Sequence, residues 1–274
     1  MRTSTHDIGE RGKRQTRSDN ATNATREAAD VDDFAKLARK LNLHDLSEVP
    51  IAQGRIARGA LIRCAKLDNL STQEWQTLLG ACNFGLIVDL RTPAEIPQKS
   101  GAFTANAKNA GIPCATVKLP LEGLGLLMSK WQRSFGPAWV RMRRKLWADP
   151  LPMFKRMYAA LVLDEGNMRM MKRFFDLALA PRDGAFVWHC AQGTDRTGIM
   201  AALLLEILGA KRADIIDNYA ACYAHSAPAD PRPQLQAAFD AIENAYGSVE
   251  AYLTRGVGLS PDDQQALRER FIAQ

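Results

Sequence analysis

The chain has no long apolar stretch and few cysteines. Its 274 residues contain no run of about 20 apolar residues, which is the length that a membrane-spanning helix needs. The five cysteines are widely spaced and odd in number, which excludes a regular disulfide framework. A reducing compartment suits such thiols, so we expect a cytoplasmic protein in which Cys190 is reactive and the other cysteines are packing residues.

The first 30 residues also lack an apolar run. Residues 1–30 are rich in Arg, Ser, Thr, Asn and Asp, so they have no signal-peptide core and predict a disordered tail. Residues 31–274 remain for one domain, and the chain's apolar fraction of 46% supplies an ordinary core. The net charge of +6 suits an anionic partner. No nucleic-acid recognition motif is present, so no nucleic acid is expected as a partner.

Short apolar runs alternate with helical patterns along residues 31–274. Strands are predicted at 85–90, 114–119 and 184–188, and helices at 31–41, 71–82, 167–180 and 233–245, with a last helix from 261. This alternation predicts an α/β fold with a mostly parallel central sheet flanked by helices. In such sheets, functional loops follow the carboxyl ends of the strands.

The most informative segment is 189–198, His-Cys-Ala-Gln-Gly-Thr-Asp-Arg-Thr-Gly. It follows the predicted strand at 184–188 and leads into 197–208, an apolar segment long enough for a buried helix that Gly209 would end. The loop therefore lies at a helix N-terminus, where backbone N–H groups and the helix dipole form a site for an anion. The expected phosphate-binding residues are Ala191, Gln192, Gly193, Thr194, Asp195 and Arg196.

A cysteine and an arginine frame this loop, with the spacing typical of phosphoryl transfer through a phosphocysteine. Cys190 would attack phosphorus as a thiolate, while the fork of Arg196 holds two oxygens of the transferring group. Gly193 lets the loop turn without a side chain in the way of the phosphate. The Thr197 hydroxyl is placed to hydrogen-bond the Cys190 sulfur as it leaves, and His189 is expected to fix the loop from behind. No metal or cofactor is expected, because Arg196 and the loop amides supply the positive charge.

Three other interpretations stay open at this stage. The segment could be a buried strand, turn and helix with an inert cysteine. It could bind phosphate without turnover, as an adaptor that traps phosphorylated partners, although Cys190, Asp195 and Arg196 are all present. Rhodanese-type sulfur transfer also uses a cysteine in a loop at a helix start, but it does not require the Asp-Arg-Thr-Gly continuation.

The motif His-Cys-x-x-Gly-x-Asp-Arg-Thr-Gly resembles that of the bacterial tyrosine and phosphoinositide phosphatases, the group that includes the secreted phosphatase B of mycobacteria. Further segments are similar to the family's outer motifs and follow its order: 42–46, 54–63, 86–91 with Glu95, and 246–248 with 252–253. The resemblance implies a protein-tyrosine phosphatase of the cysteine-phosphatase fold. Dual specificity toward phosphoserine and phosphothreonine is a variant of this function, and a phosphoinositide phosphatase is the alternative.

The chain departs from the family pattern at two places. Thr194 stands where the family carries Lys, which weakens a preference for highly phosphorylated inositides. Ser47-Glu48 stand in place of the Gly-Gly of the opening motif, so the N-terminal loop is expected to differ.

The general acid that protonates the leaving oxygen has several candidates. The resemblance favours Asp195, whose alternative role is to orient Arg196 or the loop backbone. Asp89 follows at the end of a predicted strand, and its alternative role is structural, in a pair with Arg91 or with loop amides. Two further aspartates are weaker candidates: Asp149 and Asp164.

The segment from Lys130 to Arg156 contains eight basic residues and one acidic residue, with aromatic residues between them. The resemblance implies that 121–165 is a helical lid insertion, and the alternative is a solvated basic face. Either arrangement would attract a phosphorylated protein or a phosphoinositide, and transient contact with an anionic membrane is compatible with it. The sequence does not indicate an oligomeric state.

Overall fold

The computed structural model describes residues 31–96, 115–122, 151–223 and 230–273. The strands in this part of the chain are β1 (His44–Asp45), β2 (Arg55–Ile56), β3 (Leu61–Cys64), β4 (Phe84–Asp89), β5 (Ala115–Lys118), β6 (Ala185–His189) and β7 (Ile272–Ala273). The helices are α1 (31–40), α2 (Thr72–Ala81), α3 (Leu151–Leu163), α4 (Glu165–Leu179), α5 (Asp195–Ile207), α6 (Arg212–Ala221), α7 (Arg232–Tyr246), α8 (Val249–Ala251) and α9 (Pro261–Phe271). Single 3-10 turns lie at Leu46–Glu48 and Pro93–Glu95, and a π-helical turn lies at Tyr252–Val257.

The central sheet is mixed but mostly parallel. Its strand order is β1-β3-β6-β4-β5, and the pairs β3/β6, β6/β4 and β4/β5 are parallel, whereas β1 runs antiparallel to β3. A separate antiparallel pair joins β2 to β7. The predicted α/β fold is therefore confirmed. The register places Cys64 and Asp89 on either side of His189, so the carboxyl ends of β3, β4 and β6 meet at one edge.

Helices cover both faces of the sheet. On one face, α1 and α2 bury Leu37 and Trp75 against the sheet residues Ile62 and Val187. On the other face, α5 is buried along most of its length and packs with α6 and α9. An apolar helix of this kind is typical of a core position.

The ends of the elements follow local sequence signals. Ser71 starts α2 with a capping box to Glu74, as predicted, and Ser260 starts α9 in the same way with Asp263. The predicted strand at 184–188 is β6, shifted by one residue. The helix predicted from 197 begins two residues earlier, which places Asp195 and Arg196 in its first turn.

Several sequence predictions fall outside the described residues. These are the disordered tail at 1–30, the basic residues of 130–145 and Asp149. Helix α3 lies within the predicted insertion at 121–165 and packs mainly against α7. In the described part of the chain, no helix is both long and apolar enough to cross a membrane.

Gly198, in the second turn of α5, lies against the ring of Tyr219. A Cβ at this position would be 2.6 Å from ring atoms of Tyr219 and 3.2 Å from Arg63 Nη2. We expect Gly198→Ala to destabilise the protein by about 1–3 kcal/mol, because the buried ring has no room to retreat. The free energy of unfolding in urea measures this effect.

Gly80→Ala is the matched control, because nothing lies within 4 Å of a Cβ at this position in α2. It is expected to be neutral or to stabilise the protein by up to about 1 kcal/mol. Equal effects of the two substitutions would contradict the packing described here.

Candidate active site

The loop between β6 and α5 has its carbonyl oxygens turned outward. Asn42 Nδ2 donates to Gln192 O at 3.2 Å, Lys66 N donates to Ala191 O at 3.3 Å, and Arg63 Nη2 donates to Gly193 O at 2.9 Å. Because a trans peptide places its N–H opposite its C=O, the N–H groups of residues 192, 193 and 194 point to the inner side of the loop. Within the described ranges none of these three N–H groups has an acceptor. They line a concavity at the start of α5, which we call the cradle, and the sequence predicts that an anion binds there.

Gly193 is needed for a different reason from the one that the sequence suggests. It has a positive φ of 75°, which confirms that the loop turns there. A Cβ on Gly193 would lie 2.7 Å from Cys64 C and Ala65 N and 2.8 Å from Cys64 O. The side chain that glycine avoids would therefore meet the end of β3, and not the phosphate.

Arg63, on β3, holds the loop from below. Its guanidinium is fully buried and donates to Gly193 O, to Thr194 O at 3.4 Å and to Asn218 Oδ1 at 3.5 Å. The sequence analysis assigned no role to this residue. Its two signals were its place at the end of the 54–63 motif and its charge inside an otherwise apolar strand, Leu-Ile-Arg-Cys.

Cys190 directly follows the carboxyl end of β6, at the start of the loop, and is 3% exposed. His189 lies behind it, with Nδ1 3.1 Å from Cys190 O and 3.8 Å from Asp89 Oδ1. Burial lowers the pKa of His189, and the nearby Asp89 only partly opposes this effect. His189 is therefore neutral at physiological pH and supports the backbone, in the position that the sequence predicts.

The fork of Arg196 is held by a carboxylate that sequence reasoning did not select as a site residue. Arg196 Nη1 is 2.6 Å from Glu95 Oε2, and Nη2 is 2.5 Å from Glu95 Oε1. Arg196 Nη1 also donates to Leu90 O at 3.3 Å and to Leu121 O at 3.4 Å. Such a two-pronged contact fixes the plane of the guanidinium. Glu95 therefore orients the Arg196 guanidinium, which is the role that the sequence analysis gave to Asp195 as an alternative to acid catalysis.

Glu95 stays ionised over the whole working range of pH. Burial acts to raise its pKa, but hydrogen bonds from Arg196 and from Thr92 N outweigh burial and lower the pKa to about 2. Glu95 belongs to the single turn Pro93–Glu95, in which Thr92 N donates to its Oε2 at 2.9 Å. The only sequence signal for Glu95 was its place after the 86–91 motif.

Asp195 faces a cluster of three tyrosines, of which Tyr158 and Tyr219 are buried and Tyr223 is partly buried. Its Oδ1 accepts hydrogen bonds from the hydroxyls of Tyr158 on α3 and Tyr223, the latter at 2.6 Å. Tyr219 Oη lies 2.8 Å from Tyr223 Oη. Burial raises the pKa of all three phenols, so they remain protonated and can donate. Among the described residues, the second oxygen, Oδ2, has one weak neighbour, Thr194 Oγ1 at 3.4 Å, which leaves it open to a substrate.

Asp89 lies behind the loop in a network with arginine. It accepts from Arg91 N at 3.0 Å, from Arg91 Nε at 2.9 Å and from Arg91 Nη2 at 2.8 Å, and Arg91 also pairs with Asp68. Burial acts to raise the pKa of Asp89, but the hydrogen bonds from Arg91 prevail and lower it. An ionised carboxylate that is fully occupied favours the structural role for Asp89. Asp164 is the N-cap of α4 and accepts a hydrogen bond from Asn167 N at 3.1 Å. This capping role is also structural, so it does not favour Asp164 as the general acid.

Thr197 is buried within the first turns of α5. Its carbonyl accepts from Trp188 Nε1 at 3.0 Å, which ties α5 to β6. Its Oγ1 is buried and has no hydrogen-bond partner among the described residues, so the predicted bond to the Cys190 sulfur is not formed in this structure. A hydroxyl in that state is free to donate when a thiolate develops beside it.

The site thus brings together Cys190, Asp195 and Arg196, with Thr197 and His189 around them. The described residues contain no group of three or more His, Cys, Asp or Glu side chains arranged to hold a metal ion.

The chain belongs to the tyrosine phosphatase family, whose sequence profile matches residues 35–273. A tyrosine-protein phosphatase of Nostoc commune is 27% identical over 244 residues, which cover 79% of this chain and 75% of that protein. A protein of Cupriavidus necator is provisionally described as a tyrosine-protein phosphatase. It is 25% identical over 249 residues, which cover 81% of this chain and 80% of that protein. These findings confirm the predicted phosphatase enzyme at the level of the family.

Among solved structures, the crystal structure of P. aeruginosa TpbA is 15% identical and covers 85% of this chain and 91% of that chain. The TM-score of this comparison is 0.36.

The pair between Arg196 and Glu95 generates a prediction on activity and stability. Glu95→Gln keeps the shape but loses the two-pronged ionic contact, so kcat/KM should fall on the order of 10- to 10²-fold as the fork becomes misplaced. Because the pKa of folded Glu95 is lowered from 4.5 to about 2, the stabilisation by the pair is complete above pH 4.5 and is lost as the pH falls toward 2. The difference in Tm between wild type and variant should therefore stay constant down to about pH 4.5 and shrink below it.

Glu165→Gln is the control, because this exposed carboxylate pairs, within the described part of the chain, only with Arg169, at 3.8 Å. It should change neither activity nor the pH dependence of Tm. Wild-type activity of Glu95→Gln would show that Arg196 does not need this carboxylate.

The surroundings of Asp195 and Asp89 generate opposite expectations for acid catalysis. Asp195→Asn should slow phosphotyrosine and alkyl phosphates by about 10²-fold or more, while p-nitrophenyl phosphate, whose leaving group barely needs a proton, slows far less. The basic limb of its pH profile should disappear. Asp89→Asn should instead lower stability and slow all substrates equally. Leaving-group selectivity in Asp89→Asn and none in Asp195→Asn would reverse the assignment.

Proposed function

We propose that this chain hydrolyses phosphotyrosine in proteins at the cradle between Cys190 and Arg196. The thiolate of Cys190 attacks phosphorus, the P–S bond forms, and the P–O bond to the tyrosine breaks. The leaving phenolate oxygen takes the proton of Asp195. Water then attacks the phosphocysteine with Asp195 as base, which releases inorganic phosphate and restores the thiolate.

The observation that carries this proposal is the inward direction of the loop N–H groups. The amides of residues 192–194 point into the cradle that begins at Cys190, where the oxygens of a transferring phosphoryl group would lie. The Arg196 guanidinium, which Glu95 holds, is close enough to Cys190 to interact with it electrostatically. Such preorganised donors stabilise the charge that develops in the transition state. An adaptor would also bind phosphate here, but it would not need a general acid. Asp195 suits that role because tyrosine hydroxyls hold its Oδ1, while its Oδ2 is open to the leaving oxygen.

Phosphotyrosine is the favoured substrate because both relatives are described as tyrosine-protein phosphatases. Dual specificity toward phosphoserine and phosphothreonine stays a variant of this proposal, and phosphoinositides stay the alternative. Thr194 offers no ammonium to further phosphates and is itself 2% exposed, which argues against highly phosphorylated inositides. Membership of the mycobacterial phosphatase B group is proposed on the loop motif, and a cytoplasmic location on the free cysteines.

The chain segments around the site complete the proposal. We propose that 31–274 is one phosphatase domain, that 1–30 is a disordered tail and that 121–165 is a lid over the cradle. The contact of Tyr158, on α3, with Asp195 supports the lid, because it links the end of that insertion to the candidate acid. Basic residues of the lid, such as Arg141, Arg143 and Arg144, lie outside the described residues.

Cys190→Ser tests the proposal. It should abolish turnover of p-nitrophenyl phosphate and of a phosphotyrosine peptide without added metal. It should still bind inorganic phosphate, because the cradle of N–H groups remains. Steady-state rates and isothermal titration measure the two effects.

Cys82→Ser is the matched control, since this half-buried thiol lies at the end of α2, away from the loop. It should keep wild-type activity. Substantial turnover by Cys190→Ser would end the phosphocysteine mechanism, and loss of phosphate binding together with turnover would mean that the loop itself had collapsed.

A further inference from the structure

A cleft opens on the outer side of the phosphate loop, at the carboxyl-terminal edge of the sheet. It has a volume of about 360 Å³ and is bounded by the end of α1, the segment after β3, and the loop residues Ala191 and Gln192. The carbonyl oxygens of these two loop residues point to this side, toward Lys66 N and Asn42 Nδ2. The loop is therefore a shared wall, with its N–H groups facing the cradle and its carbonyls facing this basic cleft.

Three basic side chains line the basic cleft: Arg39, Lys40 and Lys66. The charge of Lys40 is offset, because its Nζ is 2.5 Å from Glu74 Oε1. Arg39 and Lys66 are exposed, and in the part of the chain that the structure describes neither forms an ion pair with a carboxylate. The basic cleft thus presents, beside the loop residues Ala191 and Gln192, two cations without an ion-pair partner among the described residues.

The floor of the basic cleft is apolar. Leu41 and Leu70 are buried beneath it, and Ala65 and Ala191 contribute methyl groups. A headgroup with several phosphates would require more donors than two cations and would leave this floor unused. A carboxylate on one or two methylene groups matches both features, because the methylenes cover the floor while the charge reaches the cations at the rim.

We infer that the basic cleft binds an acidic side chain of the substrate protein, Glu or Asp, close in sequence to the phosphotyrosine. This inference depends on the proposed function, because only a phosphotyrosine seated in the cradle brings its neighbours over the shared wall. Arg39 and Lys66 then determine specificity: they select among phosphotyrosine sites by charge, from outside the loop that performs the chemistry.

The test compares matched phosphotyrosine hexapeptides that carry two Glu or two Gln residues on one side of the phosphotyrosine, with each side tried in turn. For at least one side, wild type should favour the Glu peptide in kcat/KM by roughly three- to tenfold, the range that two partly exposed ion pairs allow. Arg39→Gln/Lys66→Gln should bring this ratio toward one, and Arg39→Glu/Lys66→Glu should invert it. Salt at about 1 M should also reduce the wild-type ratio, because the Debye length falls to about 3 Å.

Arg58→Gln/Lys211→Gln is the matched control, since it removes the same charge elsewhere. Arg58 precedes β3 at the opposite edge of the sheet, and Lys211 caps the end of α6 that lies away from Cys222 and the basic cleft. This control should keep the wild-type ratio. A wild-type protein without preference, or a preference that survives in Arg39→Gln/Lys66→Gln, overturns the inference.

A phosphoinositide ligand gives a different result. If Arg39→Gln/Lys66→Gln loses turnover of a soluble short-chain phosphatidylinositol monophosphate while its peptide ratio stays at the wild-type value, the cleft serves a headgroup and the inference is wrong. Failure of the proposed function is separate, because wild type would then turn over neither peptide. If wild type turns over neither peptide, the affinities of the Glu and Gln peptides for Cys190→Ser are compared instead. Their ratio tests the basic cleft without turnover.

Discussion

The close approach of the phosphate loop to the end of β3 is the constraint on which the site depends. Parallel pairing sets Cys64 opposite His189, and the loop then passes so near to β3 that only glycine fits at position 193. Arg63 closes this contact by donating to two loop carbonyls from a fully buried position. With its carbonyls committed outward, the loop can only present its N–H groups inward, at the N-terminus of α5. An anion site follows from backbone geometry before any side chain is considered.

Charge pairs then set the direction of the functional side chains. Arg196 is fixed by Glu95, and an unpaired buried charge would be costly, so the fork has one well-defined plane. Asp89 is similarly committed to Arg91, which holds it ionised. Asp195 differs, because its partners are phenols that donate to one oxygen without carrying a compensating charge. The surroundings thus separate an aspartate with both oxygens bound to Arg91 from one whose second oxygen has only a weak neighbour among the described residues.

The parts of the site that sequence predicts are those that contiguous residues build. The strand, the loop and the start of α5 lie within about 25 residues, and their apolar pattern, glycine and polar caps are local signals. The parts that it misses come from far along the chain. Glu95 is separated from Arg196 by 101 residues, Arg63 from Gly193 by 130, and Tyr158 from Asp195 by 37. Periodicity in a single sequence does not reveal contacts between such distant residues. The resemblance to the family motif at 86–91 was therefore the one reason to associate Glu95 with the site.

Gly193 shows that a correct local prediction can have the wrong cause. The residue type alone predicts a turn with positive φ at Gly193. The atoms that a Cβ would strike belong to the end of β3, and they are known only once β3 is seen to lie beside β6. The same limit applies to substrate choice. With Thr194 in place of lysine, Arg196 is the loop's only cation, and Glu95 already offsets it. In the proposed site, the phosphate would therefore meet the loop N–H groups and a single arginine whose charge is partly offset, and neither distinguishes one phosphorylated site from another. Selection by charge must come from side chains outside the loop, and in the described structure Arg39 and Lys66 are the unpaired cations that share its wall.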